Sequence, residues 1–494
     1  MITISRLLAK QIRSVFRRAL QITARHTDQI VWLQADGTGL QVRAQNHHAI
    51  AEHHLLCQVT PGSAPVTMEA LAACEGTKAD EFVSVEQRAD GTVVLRWEDR
   101  SIPQSFQVDD KKVQADLSPA LPESWSNNSP RLLNALSDAM KVLPADATRY
   151  ALNCVQLRPR DGRIAATDSH QLLIETGFAF PGDSDLLVAR TTLFNSRELV
   201  SDHAVEVGTT TNHCVFRSGP WTFWLPLDKQ GRYPRVEDII PATSSAKTRV
   251  SLSAEDMAFL LDVVPRLPAE TDREGRVTLD LNGSVALLAK GDGESRVTQV
   301  ALRNSRRDGD EVRLNTDRQF LVRAAQLGFR ELEIHAPESP LVCRDEHRLY
   351  LWAPLKEMPV LSAGADAVQI TSNPTNPTSH RRARHIPAPR RSRSIPERTL
   401  NRMSHNRIAA TLSGSAPPPE NGAARPIVAE AGNSPDQSAS FGTVLREAES
   451  VKASLREAHS QVSHLIAALK RHRRQSKLVQ STLSSLRQLQ TLEV

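Results

Sequence analysis

Apolar residues recur along this chain at two periods, and the period switches several times. Leu8, Ile12, Val15 and Ala19 are spaced by 4, 3 and 4, which places them on one face of a helix. Arg6, Lys10, Arg13 and Arg17 follow the same spacing on the opposite face. Four like charges on one stripe repel one another, so the stripe is either a solvated face or one compensated from outside, as phosphates would do. Alternating runs at 29–34, 40–44 and 92–97, bounded by Ala35-Asp36-Gly37 and Ala89-Asp90-Gly91, predict strands. A second helix is predicted over 67–74.

The same order returns twice. Residues 116–128 are rich in Pro, Ser and Asn and read as a linker. A helix then opens at Ser129-Pro130 with Leu133, Leu136, Met140 and Leu143 as its buried stripe. Runs at 151–157 and 163–166, joined by Pro159-Arg160-Asp161-Gly162, predict a hairpin. A helix near 192–199 and strands at 204–207 and 221–225 follow. Farther on, Ser253 with Asp256 resembles a capping box. Met257, Leu260, Leu261 and Val264 give an apolar face that Pro265 stops. Strands are predicted at 276–281 and 284–289, then a helix over 318–327 capped by Asp317 and ended by Gly328, then strands at 331–336, 340–344 and 348–353. Three stretches of helix, strands, helix, strands suggest an internal structural repeat.

From about residue 363 the pattern is lost. Residues 363–440 are rich in Pro, Ser, Asn and Arg and cannot bury enough apolar surface to fold, so disorder is expected. Periodicity then resumes: Phe441, Val444, Ala448, Val451, Leu455, Ala458, Val462, Leu465 and Leu469 alternate by 3 and 4, continuing at Val479, Leu483 and Leu486. That is a sustained heptad, which predicts a self-associating coiled coil; a lone amphipathic helix packed on the body is the alternative.

Composition narrows the class. A chain of 494 residues exceeds one core and calls for two to four domains. No run of eighteen apolar residues occurs, so no membrane helix is expected. The first eighteen residues lack the apolar segment of a secretory leader and fit better as the first element of the fold. Five scattered cysteines (Cys57, Cys74, Cys154, Cys214, Cys343) point to a reducing cytoplasm rather than a disulfide framework. The net charge of +5 is asymmetric: from residue 361 on there are 19 Lys and Arg against 9 Asp and Glu, a net of +10, so the preceding 360 residues carry −5. The tail's cations cluster at 381–393 and 470–474, so long-range attraction to polyanions belongs to the tail. His47, His48, His53 and His54 lie near Cys57, but their spacing matches no zinc pattern, and solvent-exposed strand histidines are the favoured reading. A metal-dependent enzyme using this region is the weakest alternative. No Walker lysine, nucleophile elbow or Gly-rich phosphate loop is present; no catalytic site, metal or cofactor is expected.

Two segments carry a resemblance. Residues 149–173 read RYALNCVQLRPRDGRIAATDSHQLL, and residues 231–241 read GRYPRVEDIIP. In order and distance they resemble the middle domain of the bacterial sliding clamp, the DNA polymerase III beta subunit. There an Arg-Tyr-x-Leu-Asn strand leads to an Ala-Thr-Asp-Gly-His-Arg-Leu corner, and a Gly-Arg-Phe-Pro … Leu-Pro segment closes the domain. The resemblance implies an α+β chain of three tandem DNA-clamp domains, at 1–116, 117–246 and 247–360, each of two βαβββ-like halves. A disordered basic linker at 361–440 and a coiled-coil helix at 441–492 extend the usual clamp. It further implies a non-catalytic, cytoplasmic processivity factor that closes head-to-tail into a dimeric ring around duplex DNA and tethers DNA polymerase or repair proteins. The alternative is a clamp-fold scaffold that multimerises through its tail.

Carried over by resemblance, the DNA-facing residues would be Arg6, Lys10, Arg13, Arg17, Arg25 and Tyr150. The pocket for Gln-Leu-x-Leu-Phe-like partner peptides would be lined by Leu152, Thr167, Ser169, His170, Gln171, Leu172 and Pro241. Asn315, Phe320, Leu351, Ala353, Pro354 and Leu355 would complete it. Ordinary core packing is the plainer reading of each apolar member. Ser169 stands at the family Gly, Gln171 at the family Arg, and Ala353-Pro354-Leu355 at a Met-Pro-Met. Asn315 and Phe320 stand two residues farther apart than in the family, and the helix after Ser253 carries Glu255, Asp256 and Asp262. These departures predict that such a peptide binds weakly or not at all.

Overall fold

The computed structural model describes residues 1–23, 28–109, 119–144, 151–199, 202–270, 275–356 and 359–373. All belong to a body running from Met1 to Ala388. The expected coiled coil, most of the basic linker, Arg25 and Tyr150 lie outside the described residues.

A strand, a helix and three strands form a unit that occurs six times, once with 3-10 turns in place of the helix. The first unit is β1 (Ile2–Ser5), α1 (Arg6–Ala19), β2 (Ile30–Ala35), β3 (Gly39–Gln45) and β4 (Ile50–Leu56). The second is β5 (Gly62–Thr67), α2 (Met68–Cys74), β6 (Phe82–Gln87), β7 (Thr92–Asp99) and β8 (Ile102–Asp109). The third is β9 (Trp125–Asn128), α3 (Arg131–Val142), β10 (Cys154–Arg158), β11 (Arg163–Thr167) and β12 (Gln171–Glu175). The fourth is β13 (Leu186–Ala189), two 3-10 turns (Leu193–Asn195 and Arg197–Leu199), β14 (Val205–Thr209), β15 (His213–Ser218) and β16 (Trp221–Pro226). The fifth is β17 (Thr248–Ser251), α4 (Ala254–Val263), β18 (Arg276–Asp280), β19 (Ala286–Ala289) and β20 (Thr298–Ala301), followed by an extra strand, β21 (Arg306–Gly309). The sixth is β22 (Arg313–Asp317), α5 (Arg318–Gln326), β23 (Glu331–Ile334), β24 (Leu341–Arg344) and β25 (Arg348–Trp352); β26 (Val368–Thr371) comes last.

Units work in pairs and exchange their first strands. The sheets run β1-β6-β7-β8 and β5-β2-β3-β4 in the first pair, and the other two pairs repeat the exchange. Pairs are then joined by strand pairing. β4 continues antiparallel into β16, with Ala51 opposite Phe223, and β12 continues into β25, with Leu172 opposite Leu351. Sheets of eight and nine strands result. Each junction joins the last strand of an odd-numbered unit to the last strand of an even-numbered one. Helices cover the sheets with their apolar stripes: Leu8, Ile12, Val15, Phe16 and Ala19 of α1 are all buried.

Several expectations need correction. Residues 192–199 form two 3-10 turns, not a helix. The Thr191 hydroxyl accepts the Leu193 amide, and such side chains compete with helical bonding. The supposed linker at 116–128 contains β9, which pairs with β14; Arg217 lies 4.1 Å over the Trp125 ring, and the Asn128 side chain bonds both ways with Ala179. The strand expected from 151 begins at Cys154. His53 is not solvent-exposed: it is buried edge-on against Trp221, ring centroids 4.4 Å apart. Burial, then the charge of His54, pushes its pKa down to about 4. Among the described residues no three His, Cys, Asp or Glu side chains group as metal ligands. Finally, ordered structure passes residue 360, because β26 lies within the stretch expected to be disordered.

Candidate nucleic-acid interface and partner groove

Among the described residues three α-helices begin with arginine, and each such arginine is spent on structure. Arg6, at the start of α1, is buried. Its Nε donates to Cys74 O at 3.0 Å and its Nη2 to Glu75 O at 3.1 Å, which are the last carbonyls of α2. A guanidinium there satisfies orphan acceptors and opposes the negative end of the helix dipole. Nη1 reaches Glu81 at 2.9 Å and Glu98 O at 3.0 Å. Gly76 permits the approach, since a Cβ on it would meet the Arg6 Cβ at 2.9 Å. Arg318, opening α5, holds Leu267 O and Pro268 O, both at 2.6 Å, just past α4. Arg131, opening α3, donates to Thr176 O and lies 4.7 Å over the Phe178 ring. Arg6 is therefore no DNA-facing residue. Its partners are 68 to 93 positions away in sequence, out of reach of a reading by period.

The rest of the stripe differs. Lys10 is exposed. Arg13 is half-buried in a two-pronged pair with Glu75, at 2.6 and 2.8 Å. Arg17 Nη2 donates to Ile22 O and Thr23 O, each at 3.4 Å. These three line a cleft of about 490 Å³ together with Arg18, Gln21, Thr192 and one carboxylate, Glu198. Arg18 was missed by the 4-3-4 spacing because it lies one residue off the stripe; its position in the last turn is the signal that finds it. Arg18 Nη1 donates to Asn195 O at 2.8 Å and Gln21 Nε2 to Arg190 O at 3.0 Å, tying α1 to the fourth unit. The cleft is thus a cationic surface with a fixed wall.

The residues expected to line a partner pocket meet at the β12–β25 junction, but as packed structure. Leu172 and Leu351 are register partners, 0% and 2% exposed. Their cluster is closed by Val236, with Tyr233 and Ile240 packed against it. A ligand side chain reaches them only by displacing that segment. The Pro241 carbonyl accepts from Arg344. Phe320 packs against the main core instead, and Leu152 is half-buried in the turn before β10.

The corner before β12 is built by its polar residues. Asp168 Oδ1 accepts the amides of His170 and Gln171, both at 2.8 Å, and Thr167 Oγ1 accepts that of Ser169. Ser169 sits at φ +77°, a backbone region that favours glycine. Gln171 is buried. Its Nε2 donates to Asp168 Oδ2 at 2.8 Å and Val142 O at 3.4 Å, and its Oε1 accepts the Tyr350 hydroxyl at 2.7 Å. It is a neutral bridge across the junction. Ala353 N donates to His170 O and Leu355 N to Asn315 O; Pro354 and Asn315 are buried. His170 and Ser169 remain exposed.

Paired β-α-β-β-β units with exchanged first strands, joined edge to edge into continuous sheets, define a DNA-clamp fold. Solved structures make the likeness specific. The DNA polymerase III subunit beta of Pseudomonas aeruginosa matches with a TM-score of 0.59 at 18% identity, over 72% of this chain and 100% of that one. The DNA polymerase sliding clamp of Bacillus subtilis matches at 0.60 and 16%, over 72% and 99%. The Bartonella birtlesii sliding clamp bound to griselimycin matches at 0.60 and 18%, over 72% and 99%. The chain therefore has the fold of the bacterial sliding clamp, the DNA polymerase III beta subunit. No protein-family model and no curated protein sequence matches it.

Proposed function

We propose that this chain is a non-catalytic, sliding-clamp-like protein of the cytoplasm. Two copies associate head-to-tail, encircle duplex DNA and tether partner proteins to it. The observation that carries this reading is the junction rule. The two joints within the chain pair the last strand of an odd unit with the last strand of an even one, and β8 and β20 are the two last strands left over. A joint of the same kind between two copies, made twice, closes a ring of three unit pairs per chain. The three pairs correspond to domains at 1–116, 117–246 and 247–360.

A ring that slides needs cations near phosphates and no base readout. Lys10, Arg13, Arg17 and Arg18 supply them from α1, with Arg25 and Tyr150 as further candidates. Gln-Leu-x-Leu-Phe-like peptides bind weakly at the junction around Leu172, Pro241 and Leu351, because they must displace the segment at Val236 and because Gln171 is neutral with its bonds committed. The basic segments at 381–393 and 470–474, brought together by a coiled coil at 441–492, add DNA attraction that ignores topology. The acidic face of α4 favours the second reading, a clamp-fold scaffold working through its partners. The test is retention on DNA: a topological clamp stays on closed circles and runs off after linearisation. Equal loss from circular and linear DNA at moderate salt, by the wild-type chain and by a variant whose β20 edge is free, rejects encirclement.

A further inference from the structure

The two leftover sheet ends are not alike. β8 pairs with β7 on one side and has no second strand neighbour among the described residues; Ile102 on it is 60% exposed. β20 pairs with β19 on one side and, on the other, with β26. The register is Thr298 opposite Val368 through Ala301 opposite Thr371, and it is the single parallel pairing among the described strands. A parallel neighbour requires a long crossover, and here the chain makes one after β25. Asn315 Nδ2 and Arg276 Nη1 hold Pro359 O, both at 3.3 Å, and Leu361 N donates to Thr278 Oγ1 at 3.0 Å.

The strand is fastened at both ends. Val368 N donates to Val297 O at 2.9 Å and Ser372 N to Ala301 O at 3.1 Å. The buried Ser372 hydroxyl accepts the Arg303 amide at 2.9 Å, and Asn304 Nδ2 reaches Asn373 O at 2.9 Å. Gln369 and Gln299 are joined side chain to side chain at 3.0 Å. The hydrogen-bonding edge of β20 is fully occupied from within the chain.

We propose that β26 is a removable cap on the β20 edge, occupying the place that the junction rule assigns to β8 of a second copy. It acts as covered sheet edges do elsewhere, preventing edge-to-edge pairing until the cover leaves. The capped chain stays open, and closure of the ring requires β26 to detach. This deepens the proposed function and rests on its reading that β8 and β20 of two copies meet.

The test is hydrogen exchange of the β8 amides in the full chain, which reads this joint and is blind to association through any other part of the molecule. Wild-type protein should show fast exchange at the β8 edge across about 1 to 100 µM, a range spanning weak affinities. The double variant Val368→Pro, Ile370→Pro removes strand donors. It should gain roughly tenfold or greater protection in β8 as concentration rises, the mark of a new ladder. A second variant needs no unfolding: Gln299→Cys with Gln369→Cys, oxidised, locks the cap, and β8 should stay unprotected at every concentration.

Protection of β8 in the locked protein, or equal concentration-dependent protection in wild type and proline variant, overturns the cap while leaving the ring reading intact. Absence of β8 protection in wild type and proline variant alike overturns both. An uncapped variant that protects β8 but is not retained on circular DNA supports the cap and rejects the clamp function.

Discussion

α1 and α4 open the first and fifth units, occupy equivalent places, and carry opposite charge. Each is capped by a serine whose hydroxyl accepts an amide at 3.1 Å, Ser5 from Leu8 and Ser253 from Asp256. Each buries an apolar stripe and one polar anchor in its first turn. In α1 the anchor is Arg6, bound to the end of α2. In α4 it is Asp256, fully buried, whose carboxylate accepts Ser305 Oγ at 2.6 Å, Asn304 N at 2.9 Å and Asn304 Nδ2 at 3.0 Å. Outside, α1 shows Lys10 with Arg13, Arg17 and Arg18, while α4 shows Glu255 and Asp262. The fold demands the stripe, the cap and a satisfied anchor. It leaves the sign of anchor and surface free, so what distinguishes the two helices in use is carried by the sign of their outer faces.

The comparison breaks most sharply at the anchors. Arg6→Ala should cost about 3–5 kcal/mol of unfolding free energy, because it strands the α2 carbonyls and Glu81 in a part-buried site. Arg6→Lys should recover little, since one ammonium cannot serve so many acceptors at once. Chemical denaturation measures both, and a loss below about 1 kcal/mol, the scale of a surface change, shows the anchor dispensable. Asp256→Ala should cost somewhat less, about 2–4 kcal/mol, since its partners are three neutral donors near the surface; equal stability of variant and wild type would show that Ser253 alone organises the turn.

The outer faces should behave the other way round. Lys10→Glu with Arg17→Glu should lower low-salt DNA affinity about tenfold and flatten the salt dependence by roughly two phosphate contacts. Melting should shift far less than for either anchor. If affinity is unchanged in the chain cut after residue 388, the cations of α1 do not face DNA. The smallest effect is expected from Glu255→Gln with Asp262→Gln, a rise in affinity of about two- to fivefold through lost repulsion; a fall would mean that α4 contacts a positively charged partner instead.

What could be read in the sequence divides along the same line. The stripe of α1, the caps Ser253 and Asp317, and the hairpin turning at Pro159–Asp161 are set by residues within a few positions of each other, and they were legible. The roles of Arg6 and Gln171 were not, because the carbonyls and hydroxyl that hold them come from other units. β26 was invisible for a related reason. Four residues, Val-Gln-Ile-Thr, alternate as a strand does but are too few to stand out in a Pro- and Asn-rich stretch; they become a strand because β20, seventy positions earlier, offers an edge. Ser169 is intermediate. Its neighbours announce a corner, but only the backbone reveals that the corner wants a positive φ.

The exchange of first strands sets a timetable for synthesis. β1 pairs with β6, Ile2 opposite Val85, and β17 pairs with β23, Thr248 opposite Ile334. β1 therefore leaves the ribosome some eighty residues before its neighbour exists, a wait of about 4–16 s at ordinary elongation rates, whereas β17 meets β21, Thr248 opposite Gly309, about sixty residues on. During that wait α1 has a finished stripe and no completed sheet to cover. Nascent chains should therefore gain protease resistance in steps, each falling when an even-numbered unit clears the exit tunnel.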